Sequence, residues 1–145
     1  MSNLTLILMM ACGGIAVAVQ PSINARLAQR VGSYESSLIS FAVGTLAMLA
    51  VVLVAGRGNL RGLHTAQWWE LTGGLLGAFF VTLTIIAVPR LGTTAVMTMI
   101  IAGQLATGVL LDHVGAFGLR QIAVTPLRGI GIALLCLGAA LVVRR

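Results

Sequence analysis

Amide side chains within long apolar runs are the residues of this sequence best placed to do chemistry. Gln20 and Gln104 each lie inside a charge-free run, and Asn24 follows Gln20 by one helical turn on the same face. An amide in an apolar medium needs partners for its donors and for its carbonyl oxygen. Two interpretations stay open. Either the amides form hydrogen bonds that hold helices together, or they line a polar cavity, with Thr94 and Thr98, that binds a small-molecule substrate.

The acidic residues form a second group with chemical potential. The sequence has three, all at the ends of apolar runs: Glu35, Glu70 and Asp112. The first two suit the starts of helices, where the helix dipole favours a carboxylate. Asp112 ends its run, where the dipole disfavours a negative charge, so it needs a partner such as His113, Arg120 or Arg128. Asp112 therefore forms either a structural ion pair or, with His113, a gate or proton relay.

Sequence patterns for catalysis and for metal or cofactor binding are absent. The chain has no paired carboxylates within a run, no nucleophile with a base and no phosphate-binding loop. Cys12 and Cys136 have no His or Cys at ligand spacing, and we interpret them as small buried apolar residues. We therefore expect neither an enzyme nor a bound metal or cofactor.

Five apolar runs must position these side chains. They cover residues 4–25, 35–56, 69–89, 92–112 and 127–143. Each is close to the ~20 residues that a helix needs to cross a hydrocarbon core. With 59% hydrophobic and 8% charged residues, a water-soluble fold would leave large apolar patches exposed. The sequence predicts an all-α integral membrane protein with five transmembrane helices, folded as one membrane domain over residues 1–145.

The basic residues are nine arginines that lie at the ends of the runs. This placement indicates anchoring to the headgroups of a lipid bilayer, and not a nucleic-acid partner. Five crossings put four arginines on one side: Arg57, Arg61, Arg120 and Arg128. They put five on the other: Arg26, Arg30, Arg90, Arg144 and Arg145. Orientation normally follows an excess of Lys and Arg in cytoplasmic loops. Either the chain inserts both ways up, or one loop dominates and fixes its orientation.

A set of short motifs in fixed order carries a family resemblance. The motifs are Gln20-x-x-x-Asn24, Phe41-x-x-Gly44-Thr45, Trp69 with Gly73-Gly74-x-x-Gly77, Pro89-Arg90-Leu91-Gly92, Gly103-Gln104, Asp112-His113 and Gly131-x-x-Leu134-x-x-x-Gly138. In combination, over about residues 10–143, they resemble the YdcZ-like branch of the drug/metabolite transporter superfamily.

The resemblance implies a five-helix half of an inverted-repeat, ten-helix transporter fold in the bacterial inner membrane. Such a half would pair with an inverted copy of itself, or with a related chain of opposite orientation, and export a small organic solute by alternating access. Four-helix multidrug relatives in the superfamily use a membrane-embedded glutamate as their proton and cation site. In the run that corresponds to that helix here, Glu35 stands at the very start, and residues 36–56 contain no carboxylate.

The depths of Gln20 and Gln104 in the membrane are consistent with pairing between inverted copies. With Leu4 and Leu91 taken as helix starts, Gln20 lies ~24 Å along its helix and Gln104 ~20 Å along a helix of opposite direction. Within one chain these levels differ by more than ~10 Å in a core about 30 Å thick, whereas an inverted copy brings them together. We therefore expect a layer of amides shared between protomers. A passive dimeric pore and a non-transporting assembly subunit remain alternative functions.

Overall fold

Five long α-helices make up most of the chain. The computed structural model describes residues 2–118 and 120–143. The helices are α1 (Asn3–Val31), α2 (Ser33–Ala55), α3 (Gly73–Leu91), α4 (Thr93–Val114) and α5 (Pro126–Val143). Each belongs to a helical segment long and apolar enough to cross a membrane, and no strand occurs among the described residues. The predicted all-α class with five transmembrane helices is confirmed.

Helix α1 is longer than the apolar run that predicts it. It continues through Pro21, past the expected end near Ala25, and ends at Val31. Proline removes one backbone donor, but transmembrane helices tolerate this because nearby groups satisfy the freed carbonyl. The residue that ends α1 is Gly32, with φ +101°, and α2 begins at the next residue. This positive φ is strained for residues with a Cβ, so the sharp break favours glycine.

The connection from α2 to α3 contains two short 3-10 helices, Leu60–Thr65 and Trp68–Thr72. The second begins with a capping box, in which the Gln67 N–H donates to Glu70 Oε2 at 2.7 Å. Glu70 thus caps a helix start, which is the role that its position predicts.

The chain divides into two compact units, residues 1–90 and 91–145. The first unit contains α1, α2 and α3, and α1 packs along α2. Its core includes Ile85 of α3, which is 1% exposed. The second unit contains α4 packed against α5, with Val96 and Ala139 buried. Polar side chains are buried only in the first unit, among the residues described.

Candidate functional site

A groove of about 570 Å³ in the first unit, the α1–α2 groove, runs along α2, and α1 contributes Gln20 to its lining. Its polar lining comes from Gln20, Ser40 and Thr45. The rest of the lining is apolar or glycine: Phe41, Gly44, Met48, Leu49, Val52 and Leu60. The α2 members recur at intervals of three and four residues because they share one face of that helix. The groove therefore has an apolar wall and a polar end.

The polar end is braced by a buried hydrogen-bond network behind it. Asn24 Nδ2 donates to Ser40 Oγ at 3.1 Å, and Ser36 Oγ donates to the Asn24 carbonyl at 2.8 Å. Ser36 is 0% exposed and Asn24 6% exposed. These bonds join α1 to α2 where neither side chain can reach water, so each must find its partner within the protein. Asn24 holds Ser40 in place and does not itself line the groove.

Gln20 differs from Asn24 although both lie on one face of α1. It lines the groove and is exposed, and its amide makes no hydrogen bond to any residue within 2–118 or 120–143. An amide carries two donors and a carbonyl acceptor. All of these remain available to a molecule in the groove.

Helix α3 contacts α2 beside the groove. The hydroxyls of Ser37 and Thr82 lie 2.8 Å apart and share a hydrogen bond between the two helices. Gly77 of α3 faces the ring of Phe41, and a Cβ added to Gly77 would lie 3.4 Å from Phe41 Cζ. The position of this groove residue therefore depends on a small residue opposite it.

In the second unit, the predicted site residues on α4 do not form a comparable site. Thr98 Oγ1 donates to the Thr94 carbonyl of its own helix at 2.8 Å. Gln104 is exposed and has no hydrogen-bond partner among the described residues. A groove of about 380 Å³ between α4 and α5 is lined by other residues: Met99, Ala102, Cys136, Ala139, Ala140 and Val143.

The two cysteines correct one expectation. Cys12 and Cys136 are both exposed on the surface of the chain, so their interpretation as buried residues is wrong. The reason is that a helix crossing a bilayer can turn apolar side chains toward lipid, which removes the pressure to bury them in the protein.

Asp112 finds its partner on α5. Its Oδ2 lies 3.3 Å from Arg128 Nη1, and the two side chains are 41% and 37% exposed. Two hydrogen bonds hold the segment between α4 and α5 against the end of α4. The Ile122 N–H donates to the Asp112 carbonyl at 2.8 Å, and Gln121 Nε2 donates to the His113 carbonyl at 2.7 Å. Of the three basic candidates, Arg128 is the one that pairs.

Sequence reasoning missed Ser36 and Ser40. Their signal is present in the sequence, since two serines four residues apart share a face of the same helix. What the sequence does not give is the partner helix, because a serine hydroxyl can equally bond to its own backbone.

Comparison with known proteins identifies relatives along nearly the whole chain. Residues 5–141 match the family described as "Putative inner membrane exporter, YdcZ". The chain is similar to the inner membrane protein YdcZ of Escherichia coli strain K12, with 31% identity over 153 residues, covering 99% of this chain and 97% of that protein. No solved structure matches the chain.

Proposed function

We propose a function from one premise: this chain belongs to the YdcZ family of inner-membrane exporters, a branch of the drug/metabolite transporter superfamily. The proposal is that the chain is one half of a secondary transporter, which exports a small organic solute by alternating access. Such transporters bind their substrate near the middle of the membrane, between repeats of opposite orientation.

The observation that carries this proposal is the α1–α2 groove with its braced polar end. A groove of about 570 Å³ falls within the usual size range of sites for small organic ligands. A polar group in a transmembrane helix is costly unless it has a partner or a function, and the Gln20 amide has no partner among the described residues. A solute that supplies hydrogen bonds would satisfy that amide.

The assembly that we propose is an inverted pair. Five crossings put the two ends of a chain on opposite sides of the membrane, and the arginine distribution of four against five gives little preference for either orientation. An inverted copy would bring Gln104 of one protomer to the depth of Gln20 of the other. Gln20, Thr94, Thr98 and Gln104 would then face the transport path, and Asn24 would brace it. A related chain of opposite orientation would serve equally as the partner.

Asp112 and His113 would provide the gate or proton relay at the end of α4. The apolar cores of the helices carry no carboxylate, and Asp112 is the acid whose ion pair joins α4 to α5. Protonation would release Arg128 and loosen the α4–α5 hairpin, coupling a proton to opening. The alternative is that this pair is purely structural. Accumulation under a pH gradient by an Asp112→Asn variant distinguishes the two roles.

The test is transport by the purified chain in proteoliposomes. Vesicles are equilibrated with the same defined mixture of amino acids, sugars, carboxylates and neutral aromatic amides on both sides. A pH gradient is then imposed, and accumulation above the outside concentration is measured by mass spectrometry. We expect at least one solute to accumulate, and to lose its accumulation when an ionophore collapses the pH gradient. Solute movement that never exceeds equilibration would contradict the exporter.

A dimeric pore is the second candidate, because a polar seam without a carboxylate in the hydrocarbon needs no coupling ion. Purely downhill flux in the same vesicles would support it. A subunit that only assembles with others would show neither form of flux.

A further inference from the structure

We infer that the α1–α2 groove selects an electrically neutral, amphipathic solute whose apolar body lies along α2 and whose one hydrogen-bonding end group lies at Gln20 and Ser40. This inference rests on the proposed function and deepens it by naming the class of substrate. Charge, the chemistry of the polar end and the shape of the apolar wall each support it independently.

The lining of the groove excludes charge. None of its residues is ionisable, and the two acids of this unit lie at helix starts, where Glu70 accepts from Gln67 and Glu35 packs beside Gly32. A cation or anion entering the groove would lose its hydration without gaining a counter-charge from any lining residue, which is unfavourable. A neutral molecule does not pay this penalty, so the groove discriminates by charge.

The polar end offers both donors and an acceptor. Ser40 Oγ accepts from Asn24 Nδ2, and within the described part of the chain its own hydroxyl hydrogen has no acceptor. The Gln20 amide adds two further donors and a carbonyl oxygen. A carboxamide, alcohol or ketone matches this set, because each carries a hydrogen-bond acceptor and the first two also carry a donor.

The apolar wall determines which size and shape the apolar part of the solute can have. Phe41, Met48 and Val52 extend over eleven residue steps of α2, which is ~16 Å of helix. An aromatic ring and a flexible thioether adapt to solutes of different shape. The groove therefore suits a family of drug-sized neutral molecules rather than one rigid substrate.

Photolabelling of the whole chain in lipid nanodiscs tests the inference. The probes are two benzophenones with the same alkyl linker, one ending in a primary carboxamide and the other in a trimethylammonium group. After illumination, the labelled residues are mapped by mass spectrometry. We expect the carboxamide probe to label residues 41–52, at least about tenfold more than the cationic probe does, a ratio equivalent to about 1.4 kcal/mol.

Three variants make the result specific. Gln20→Leu should lower labelling by the carboxamide probe about tenfold, because the substitution removes the hydrogen bonds that the amide offers. Gln29→Leu makes the same chemical change on the same helix, outside the groove, and should leave labelling unchanged. Gln20→Glu should reverse the preference and admit the cationic probe, because it supplies the missing counter-charge.

Several results would overturn the neutral site. Equal labelling by both probes would remove the charge discrimination. Labelling outside residues 41–52, or carboxamide labelling insensitive to Gln20→Leu, would show a surface occupied by acyl chains or by a second copy of the chain.

The outcome separates this inference from the proposed function. The expected labelling without uphill transport in proteoliposomes would support the neutral site and contradict the exporter. Uphill transport of a charged solute, with labelling elsewhere, would contradict the neutral site and leave the exporter intact.

Discussion

Asp112 and Arg128 form an ion pair, with 3.3 Å between Oδ2 and Nη1, at the hairpin that joins α4 to α5. Each residue is placed against the dipole of its own helix, since Asp112 lies in the last turn of α4 and Arg128 in the first turn of α5. Pairing offsets both unfavourable positions at once. Because both side chains are more than a third exposed, solvent screens the pair and limits it to less than about 1 kcal/mol of stability. A weak pair at a helix end is easily opened, as a gate requires.

Replacement of this carboxylate tests that role. We expect Asp112→Asn to abolish accumulation driven by a pH gradient while downhill exchange continues, because the variant cannot take up and release a proton. The free energy of unfolding, measured in mixed micelles, should change by less than about 1 kcal/mol. Glu70→Gln is the control, because Glu70 caps a helix start; this variant should keep its accumulation. Full coupling in Asp112→Asn would leave only a structural clamp.

The buried network behind the groove should stabilise the first unit measurably. Asn24→Leu removes the hydrogen bond to Ser40 and should lower the free energy of unfolding by about 0.6–2 kcal/mol, the range for hydrogen bonds between membrane helices. Reversible unfolding in SDS mixed micelles measures the change. Thr98→Val is the control, since that hydroxyl bonds to its own helix and its loss should change stability little. Equal effects of the two substitutions would contradict the bracing role.

The contact between Gly77 and Phe41 should control the width of the groove. Gly77→Ala adds a methyl group at ordinary van der Waals distance from Phe41 and should be tolerated. Gly77→Leu should push the ring into the groove and lower labelling by the carboxamide benzophenone about tenfold. At Gly74 a Cβ meets nothing within 4 Å, so Gly74→Leu serves as the matched control. If Gly74→Leu and Gly77→Leu had the same effect, Phe41 would not be the cause.

Substitution of Gln104 in one chain should lower transport by the whole pair that contains this chain. If the two glutamines share a layer between inverted protomers, Gln104→Leu mixed with wild type should inactivate the mixed pairs as well as the pure mutant pairs. At equal expression, transport should then fall to about a quarter of the wild-type level, the fraction of pairs formed by random association that contain no mutant. Transport that declines only in proportion to the mutant fraction would contradict a shared layer. Co-purification of differently tagged chains checks that the mixed pairs form.

The sequence predicts the helices well and their ends less well. Long apolar runs in a membrane leave the helix as the conformation that satisfies every backbone group within its own segment, so five runs predict five helices. The apolar runs do not predict where α1 ends. The apolar run ends at residue 25, but the helix continues through Pro21 and past residue 25 to Val31, and Gly32, with its positive φ, ends it. A membrane helix tolerates proline because surrounding groups compensate for the lost bond.

The candidate site is harder to predict, because hydroxyls in apolar helices have two kinds of partner. Thr98 bonds to a carbonyl of its own helix, whereas Ser37 bonds across to Thr82 of α3. Both look the same in the sequence, and only packing decides between them. Asn24 and Gln20 illustrate the same limit. Their spacing places them on one face of α1, yet one is buried as a brace and the other is exposed in the groove.

In the proposed transporter, two copies of this chain face opposite ways in the membrane. The most direct measurement labels a single cysteine with a membrane-impermeant maleimide in intact spheroplasts, either at Ser2→Cys or appended after Arg145, with Cys12 and Cys136 replaced by alanine. These positions leave the arginine balance unchanged. We predict that each end is labelled in about half of the molecules, because equal numbers of inverted copies make up the pairs. Complete labelling of one end with complete protection of the other would show a single orientation and contradict the inverted pair of identical chains.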